Sequence, residues 1–301
     1  MLTNAKAIRD TLLRNKQDLA FIVGNGINRY AYGANERIGW DDILLKVWKD
    51  ISHRTLSCIP DGISATEFYD IMEFEVDSID TLRRHIVKLL NDLQPQQYHS
   101  WLKDIISSAW NVPLLTTNFD KNLDCNLCLQ KLTTGNYRFS DVYPWNVYYS
   151  PLQLKSPTDG FAVWHINGMI RYPRSIRLGL SEYMSLTSKA RSFLHKKEGI
   201  DDFSLKDMNH WKGYNTWLHI IFNKSLCIFG LCLDKDETFL RWLLIERAKY
   251  FRKFHDRKKQ GWYVCKSDDI PDGKRFFLDS IGFEPVILNT FDDIYRNMII
   301  I

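Results

Sequence analysis

Four short segments hold the residue types that could do chemistry. They are Gly24-Asn25-Gly26-Ile27-Asn28, Thr116-Thr117-Asn118-Phe119-Asp120, His165-Ile166-Asn167-Gly168, and Gly230-Leu231-Cys232 followed by the acidic run Asp234-Lys235-Asp236-Glu237. A Gly-x-Gly turn after a strand lets backbone approach a phosphate, and the N–H groups that open the next helix favour an anion. The dinucleotide fingerprint asks for a third glycine, and Arg29 stands at that position; a tight turn without a ligand is the alternative. Thr, Asn and Asp end strands and cap helices, which accounts for Asp120 without any ligand. Asn118 falls at the carboxyl edge of a strand, where ligands of α/β sheets bind. His165 and Asn167 are two apart and share one strand face, and an imidazole titrates near neutrality. Gly230 marks a close backbone approach. Asp236 and Glu237 suit the positive end of a helix dipole, with Glu237 four residues before Arg241.

The elements that must position these groups are legible as apolar runs. Residues 20–23, 112–116, 161–166 and 226–229 read as buried strands, one in front of each segment, and 262–265 and 285–288 as later strands. Residues 2–16 carry apolar side chains at 2, 5, 8 and 12, the period of an amphipathic helix. Strands alternating with helices predict an α/β fold, a Rossmann-like doubly wound parallel sheet whose strand ends share one edge. The gap between the first two strands exceeds one crossover. It holds helical patterns at 40–50, 65–74, 78–93 and 97–110, so residues 41–110 are expected to form a helical lobe inserted in a single domain, 1–301. The Tyr-, Pro- and Ser-rich stretch 132–160 is expected to be loop, and 187–209 a second helical excursion.

Composition narrows the function. Hydrophobic residues at 45% and charged residues at 25% fit a chain that folds rather than one that stays disordered. A net charge of +4 over 301 residues gives little support to nucleic-acid binding. The apolar run 226–233 is too short to span a membrane. Charges at Lys6, Arg9, Asp10 and Arg14 argue against a secretory signal, so a cytoplasmic protein is expected. Cys125 and Cys128 have the spacing of a zinc half-site without a matching half, so no metal is expected. The basic stretch 247–259, interleaved with Tyr250, Phe251 and Phe254, reads as a solvated helix face before it reads as a nucleic-acid or docking surface.

The order of these motifs resembles the sirtuin-like superfamily, in particular its bacterial branch of antiphage defence proteins. Gly24, Gly26 and Asn28 match the opening glycine motif, and Asn118 and Asp120 the strand end that sirtuins write Gln-Asn-x-Asp. Trp40-Asp41-Asp42-Ile43-Leu44 and Leu180-Ser181-Glu182-Tyr183 resemble two further segments of the bacterial branch. The likeness runs in scattered blocks over residues 19–290. It implies NAD as a substrate, used either for lysine deacylation or, in defence members, for hydrolysis to nicotinamide and ADP-ribose. The four-cysteine zinc ribbon of sirtuins is lacking here, which favours hydrolysis. In that reading Asn118 holds the ribose and orients water, and His165 is the base. Gly24, Gly26 and the following helix N-terminus take the pyrophosphate, Asp120 caps its helix or contacts ribose hydroxyls, Gly230 and Cys232 face the adenosine half, and Asn25, Asn28, Thr117, Asn167 and Gly168 are further cofactor-binding candidates. One departure stands out: the family's catalytic histidine directly precedes the glycine, and here that residue is Asn167. Three readings stay open: His165 acts from the same face, the site relies on Asn118, or the chain is a silent NAD or ADP-ribose binder. The family also implies homo-oligomers and partners such as a HerA-type ATPase.

Overall fold

The structure is a computed structural model that describes residues 4–33, 38–124, 129–135, 143–197, 200–266 and 270–301, without the side chains of 197 and 200–202. Cys125 and Cys128, the half-site of the sequence, lie outside the described residues. Eight strands form the main sheet: β1 (Leu19–Val23), β2 (Leu114–Thr116), β3 (Gln130–Thr133), β4 (Val147–Ser150), β5 (Val163–His165), β8 (Ser225–Phe229), β9 (Gly261–Lys266) and β10 (Glu284–Leu288). Their order is β10-β9-β8-β1-β2-β5-β4-β3. From β10 to β5 every pairing is parallel. Counted in chain order, these six strands lie sixth, fifth, fourth, first, second, third, which is the doubly wound arrangement. The register is level at the carboxyl edge: Val23 pairs with Thr116 and with Phe229, and Thr116 pairs with His165. All four motifs therefore leave the sheet from one row.

The sheet is mixed, not wholly parallel. β4 runs antiparallel to β5 and to β3, inside the stretch expected to be loop. Val147, Tyr148 and Tyr149 are strong strand formers, and they are all buried. The second helical excursion is also corrected. Helix α7 (Leu180–Leu194) covers its first part, and a hairpin of β6 (His195–Lys197) and β7 (Ile200–Phe203) follows.

Period-two alternation splits β1 between two cores. Ala20 and Ile22 face a cluster that includes Leu218 and Phe222 of α8 (Trp217–Asn223) and Leu240, Leu243 and Leu244 of α9 (Thr238–Lys253). Leu19, Phe21 and Val23 face Ile8 and Leu12 of α1 (Ala5–Arg14), Ile27 of α2 (Gly26–Tyr32) and Leu102 of α6 (Gln97–Ile105). Helix α1 starts where the Asn4 side chain accepts the Lys6 N–H at 2.8 Å. A third core joins α3 (Trp40–Ser52), α4 (Ala65–Met72) and α5 (Ile79–Asn91) through Val47, Phe68, Leu82 and Ile86. Phe119, Ile170 and Leu178 from the sheet's carboxyl edge complete it. The helical segment thus divides: α3–α5 form a cap over that edge, while α6 packs on the sheet. No described helix is long and apolar enough to cross a membrane.

The basic stretch of the sequence is partly internal. Arg247 is 1% exposed, and Tyr250 and Phe251 are buried beside it. The Arg247 guanidinium donates to the carbonyls of Ile221, Lys224, Lys259 and Gln260 at 2.9–3.4 Å, tying together the starts of β8 and β9. Arg247→Leu leaves buried carbonyls without donors and is expected to cost about 2–4 kcal/mol, read as a lower urea midpoint.

Candidate active site

Between β1 and β8 the chain changes sides. Ile27, after β1, packs on one face of the sheet, and Leu240, after β8, packs on the other. A crevice must open where such neighbours diverge. Its floor is made of glycine. The Gly26 N–H donates to the Gly230 carbonyl at 2.7 Å. A Cβ on Gly26 would overlap the Tyr295 hydroxyl and lie 2.7 Å from the Gly230 Cα, and Gly230 itself has φ +65°. A Cβ on Gly24 would meet Leu231 at 2.7 Å.

Above this floor is a cavity of about 810 Å³, roofed by α3 and α4. Its size falls within the range of small-molecule and cofactor sites. Of the residues singled out in the sequence, Asn25, Gly26, Thr117, Asn167, Gly230 and Cys232 line it. Gly24, Asn28, Asn118, Asp120, His165 and Gly168 do not. The backbone cradle expected at α2 is largely used internally, because Gly26 N–H is given to Gly230 and Ile27 N–H to Gly24 at 3.3 Å. Arg29, at the place of the missing third glycine, lines the cavity instead.

The residues behind the wall form a buried polar network. The Asn28 Nδ2 donates to Asp120 Oδ2 at 2.8 Å and Asn25 Oδ1 at 2.9 Å. The Asn28 Oδ1 accepts from Asn122 Nδ2 at 3.1 Å and meets His99 Nε2 at 2.9 Å. Because His99 Nδ1 accepts the Gln96 N–H at 2.9 Å, its proton sits on Nε2; burial pushes the ring down to about 4. Asn25 Nδ2 in turn donates to Ile38 O at 2.6 Å, which fixes the approach to the cap. Asn118 Nδ2 donates to Gly24 O at 3.2 Å, and its Oδ1 has no partner among the described residues. Gly168 holds a turn at φ +104° pressed against the Ser175 carbonyl. His99, Asn122 and Asp124 carried no motif in the sequence.

His165 is 1% exposed, and its surroundings define its charge. Nδ1 lies 2.8 Å from the Asn118 carbonyl, so it must carry a proton. Nε2 lies 3.4 Å from Asp124 Oδ2, a charge contact, and Asp124 also pairs with Arg171 at 3.2 Å. Burial lowers the His165 pKa, but Asp124, the Asn118 carbonyl and Asp120 together hold it above its ordinary value. The structure thus places His165 between the ends of β2 and β5, outside the cavity lining where a base was expected. Asp120 is raised by burial, against hydrogen bonds from the Asn122 N–H and from Asn28.

Acidic groups that the sequence assigned to a helix dipole also line the cavity. Asp234, Asp236 and Glu237 precede α9, and Asp41 and Asp42 come from the cap. Leu233, buried at φ +49°, aims this loop, and Arg241 grips its carbonyl at 3.0 Å. The Tyr263 hydroxyl lies 2.9 Å from the carbonyls of Leu231 and Cys232. Desolvation, with Asp234 and Asp236 nearby, pushes Glu237 up to about 7. Burial raises Asp41, reinforced by Asp236, Asp42 and Asp234. Among the described residues no cluster of His, Cys, Asp and Glu could hold a metal ion. Neither a protein-family model nor a curated protein matches the chain.

Two outcomes follow from this packing. Gly26→Ala forces apart the loops that form the floor, and the melting temperature is expected to fall by several degrees. The His165 pair gives pH dependence with a definite sign. Its folded pKa is raised, so its contribution is full below the ordinary value of 6.5 and is lost as pH rises through the folded value. Chemical denaturation of wild type and His165→Gln between pH 6 and about 9 should show wild type losing stability relative to the variant as pH rises. Parallel curves would remove the charged pair.

Proposed function

We propose that the cavity takes NAD+ as a substrate and hydrolyses its nicotinamide–ribose bond. The observation that carries this reading is the cavity's opposed charge at a switch-point crevice: Arg29 at α2, and Asp41, Asp234, Asp236 and Glu237 on the other side. NAD+ has matching polarity, an anionic pyrophosphate and a cationic pyridinium. Aromatic side chains, among them Trp40, Phe119, Tyr183, Tyr263 and Tyr295, supply stacking surface along the same walls.

The chemistry asks little of an acid. Nicotinamide leaves neutral, taking the bonding electrons, and an oxocarbenium-like ribose remains. Carboxylates in a partly dry cavity stabilise that positive charge as it develops. Water then adds to the anomeric carbon and gives up a proton. Glu237, with a pKa near the working pH, is the group suited to receive it. Arg29 holds the pyrophosphate. The Asn118 and His165 pair serves this scheme by fixing the turn at Gly24 and the wall around Asn167, as positioning residues. The resemblance to defence proteins extends the proposal to depletion of cellular NAD, held in check by self-assembly or by a partner such as a HerA-type ATPase.

The test is chromatography of nicotinamide and ADP-ribose released from NAD by the purified chain. Glu237→Gln is expected to lower turnover by about 100-fold or more with NAD binding retained. In wild type kcat/KM should rise with pH through about 7, as the Glu237 carboxyl ionises, and this limb should vanish in the variant. Arg29→Ala should raise KM about tenfold with a smaller change in kcat. NAD binding without turnover in wild type would support a silent nucleotide-binding subunit instead.

A further inference from the structure

We propose that the groove between α9 and α10 (Asp272–Ser280) receives the acidic turn at Phe74 of a second copy of this chain, a head-to-tail contact that uses a different surface on each copy. The inference does not draw on what the cavity at the sheet edge binds. Arg241, Ile245, Lys249 and Arg252 lie at helical spacing along one stripe of α9, and Gly273, Phe276 and Phe277 come from α10. Together they border a groove of about 420 Å³. Its apolar part is open to solvent: Phe276 is 76% exposed and Ile245 38%. At Gly273 an added Cβ would meet nothing within 4 Å, so that end is open too. The rim is basic. Arg241 stacks on Phe277 at 3.7 Å, Lys249 pairs with the buried Glu246 at 2.7 Å, and Arg252 is exposed. No carboxylate lines the groove among the described residues. Apolar side chains inside a basic rim fit an occupant with an apolar anchor in an acidic collar.

The chain carries such an element on its own cap. Phe74, in the turn Glu73–Glu75 that follows α4, is 85% exposed, more than any other large apolar side chain among the described residues. Ile71, three residues earlier, is also exposed. The surrounding segment, residues 67–77, holds Glu67, Asp70, Glu73, Glu75 and Asp77 and no Lys or Arg. Glu67 caps α4, Asp70 accepts from Ser181, and Glu75 pairs with Arg54, so Glu73 and Asp77 are the carboxylates left to the collar. Phe74 does not line the groove of its own chain. Within one copy, therefore, an apolar knob with acidic flanks and an apolar groove with a basic rim both face solvent. Seated in the groove of a second copy, the Phe74 ring would leave water and its carboxylates would meet the rim.

The experiment is sedimentation velocity of the full chain from about 1 to 100 µM at low salt. Wild type is expected to grow in mass with concentration, and about 0.5 M salt should reverse part of that growth. Phe74→Ser, Phe276→Ser and Arg252→Glu should each weaken association about tenfold or more. All three side chains are exposed, so each variant should keep the wild-type melting temperature. Phe74→Ser keeps an intact groove, and Arg252→Glu keeps an intact turn. An equimolar mixture of the two should therefore form a heterodimer at concentrations where each alone is monomeric. A monomeric wild type, variants that associate as wild type does, or a mixture that stays monomeric would overturn the proposal.

Discussion

The contact between the Gly26 N–H and the Gly230 carbonyl is the point on which the rest of the molecule turns. Two adjacent strands end level there and send their chains to opposite faces of the sheet. A Cβ on Gly26 would lie 2.7 Å from the Gly230 Cα, and Gly230 is held at φ +65°, so the two turns touch because both residues are glycine. Because they do touch, the floor is thin and made of backbone. The space that the diverging chains leave is the cavity, which side chains line but do not fill. The cap exists in the same frame. Its core is completed by Phe119, Ile170 and Leu178, so the helices that roof the cavity are anchored on loops that leave the same edge.

A second layer of order lies under this floor. Burying Asn28, Asp120, Asn122, His99 and His165 is tolerable only if their polar atoms are paired. Most are, through bonds that cross from α6 to α2 and from the end of β2 to the end of β5. The network fixes where the cavity wall stands without itself reaching the cavity. His165 belongs to this network, between the Asn118 carbonyl and Asp124, and not to the cavity lining.

Much of this was readable in the sequence, for a physical reason. A strand buried on both faces must be an unbroken apolar run, and it must end where glycine or small polar residues let the chain turn. Hence β1, β2, β5 and β8 and the shared edge were legible, and the helical cap followed from the excess length between β1 and β2. β4 was hidden because Pro144 and Pro151 bracket a run that looks like loop until Val147-Tyr148-Tyr149 is weighed for strand propensity. The division of site residues into wall and support was not legible at all. Period two tells which face of a strand a residue shares, but past the strand end the chain turns, and Asn118 and Asn167 turn differently. Glu237 escaped notice because an acidic residue before a helix satisfies the dipole equally well whether or not it faces a cavity. Arg247 was misread because charge pattern alone cannot distinguish a solvated cation from one that caps buried carbonyls.

Where local rules are broken marks the site more sharply than where they are kept. Elsewhere the Asn4, Ser64, Ser78 and Thr216 side chains cap their helices, β1 alternates between two cores and the buried Arg247 has its acceptors. At the carboxyl edge several violations gather: Leu233 in a left-handed conformation, Asn118 and Asn167 with amide oxygens that have no partner among the described residues, and Asp41 raised by burial and by the carboxylates of Asp236, Asp42 and Asp234. Each destabilises the chain taken alone, and mutually repelling carboxylates around a cavity are the opposite of what folding stability selects. Locally inconsistent features converge at functional sites, where a ligand supplies what the protein withholds. Inside the cavity the imbalance is one of charge: Asp41, Asp42, Asp234, Asp236 and Glu237 line it, and Arg29 is the one cation among its described lining residues. That is why the opposed charge of the walls, and not the glycine turn that first drew attention, bears the weight of the functional reading.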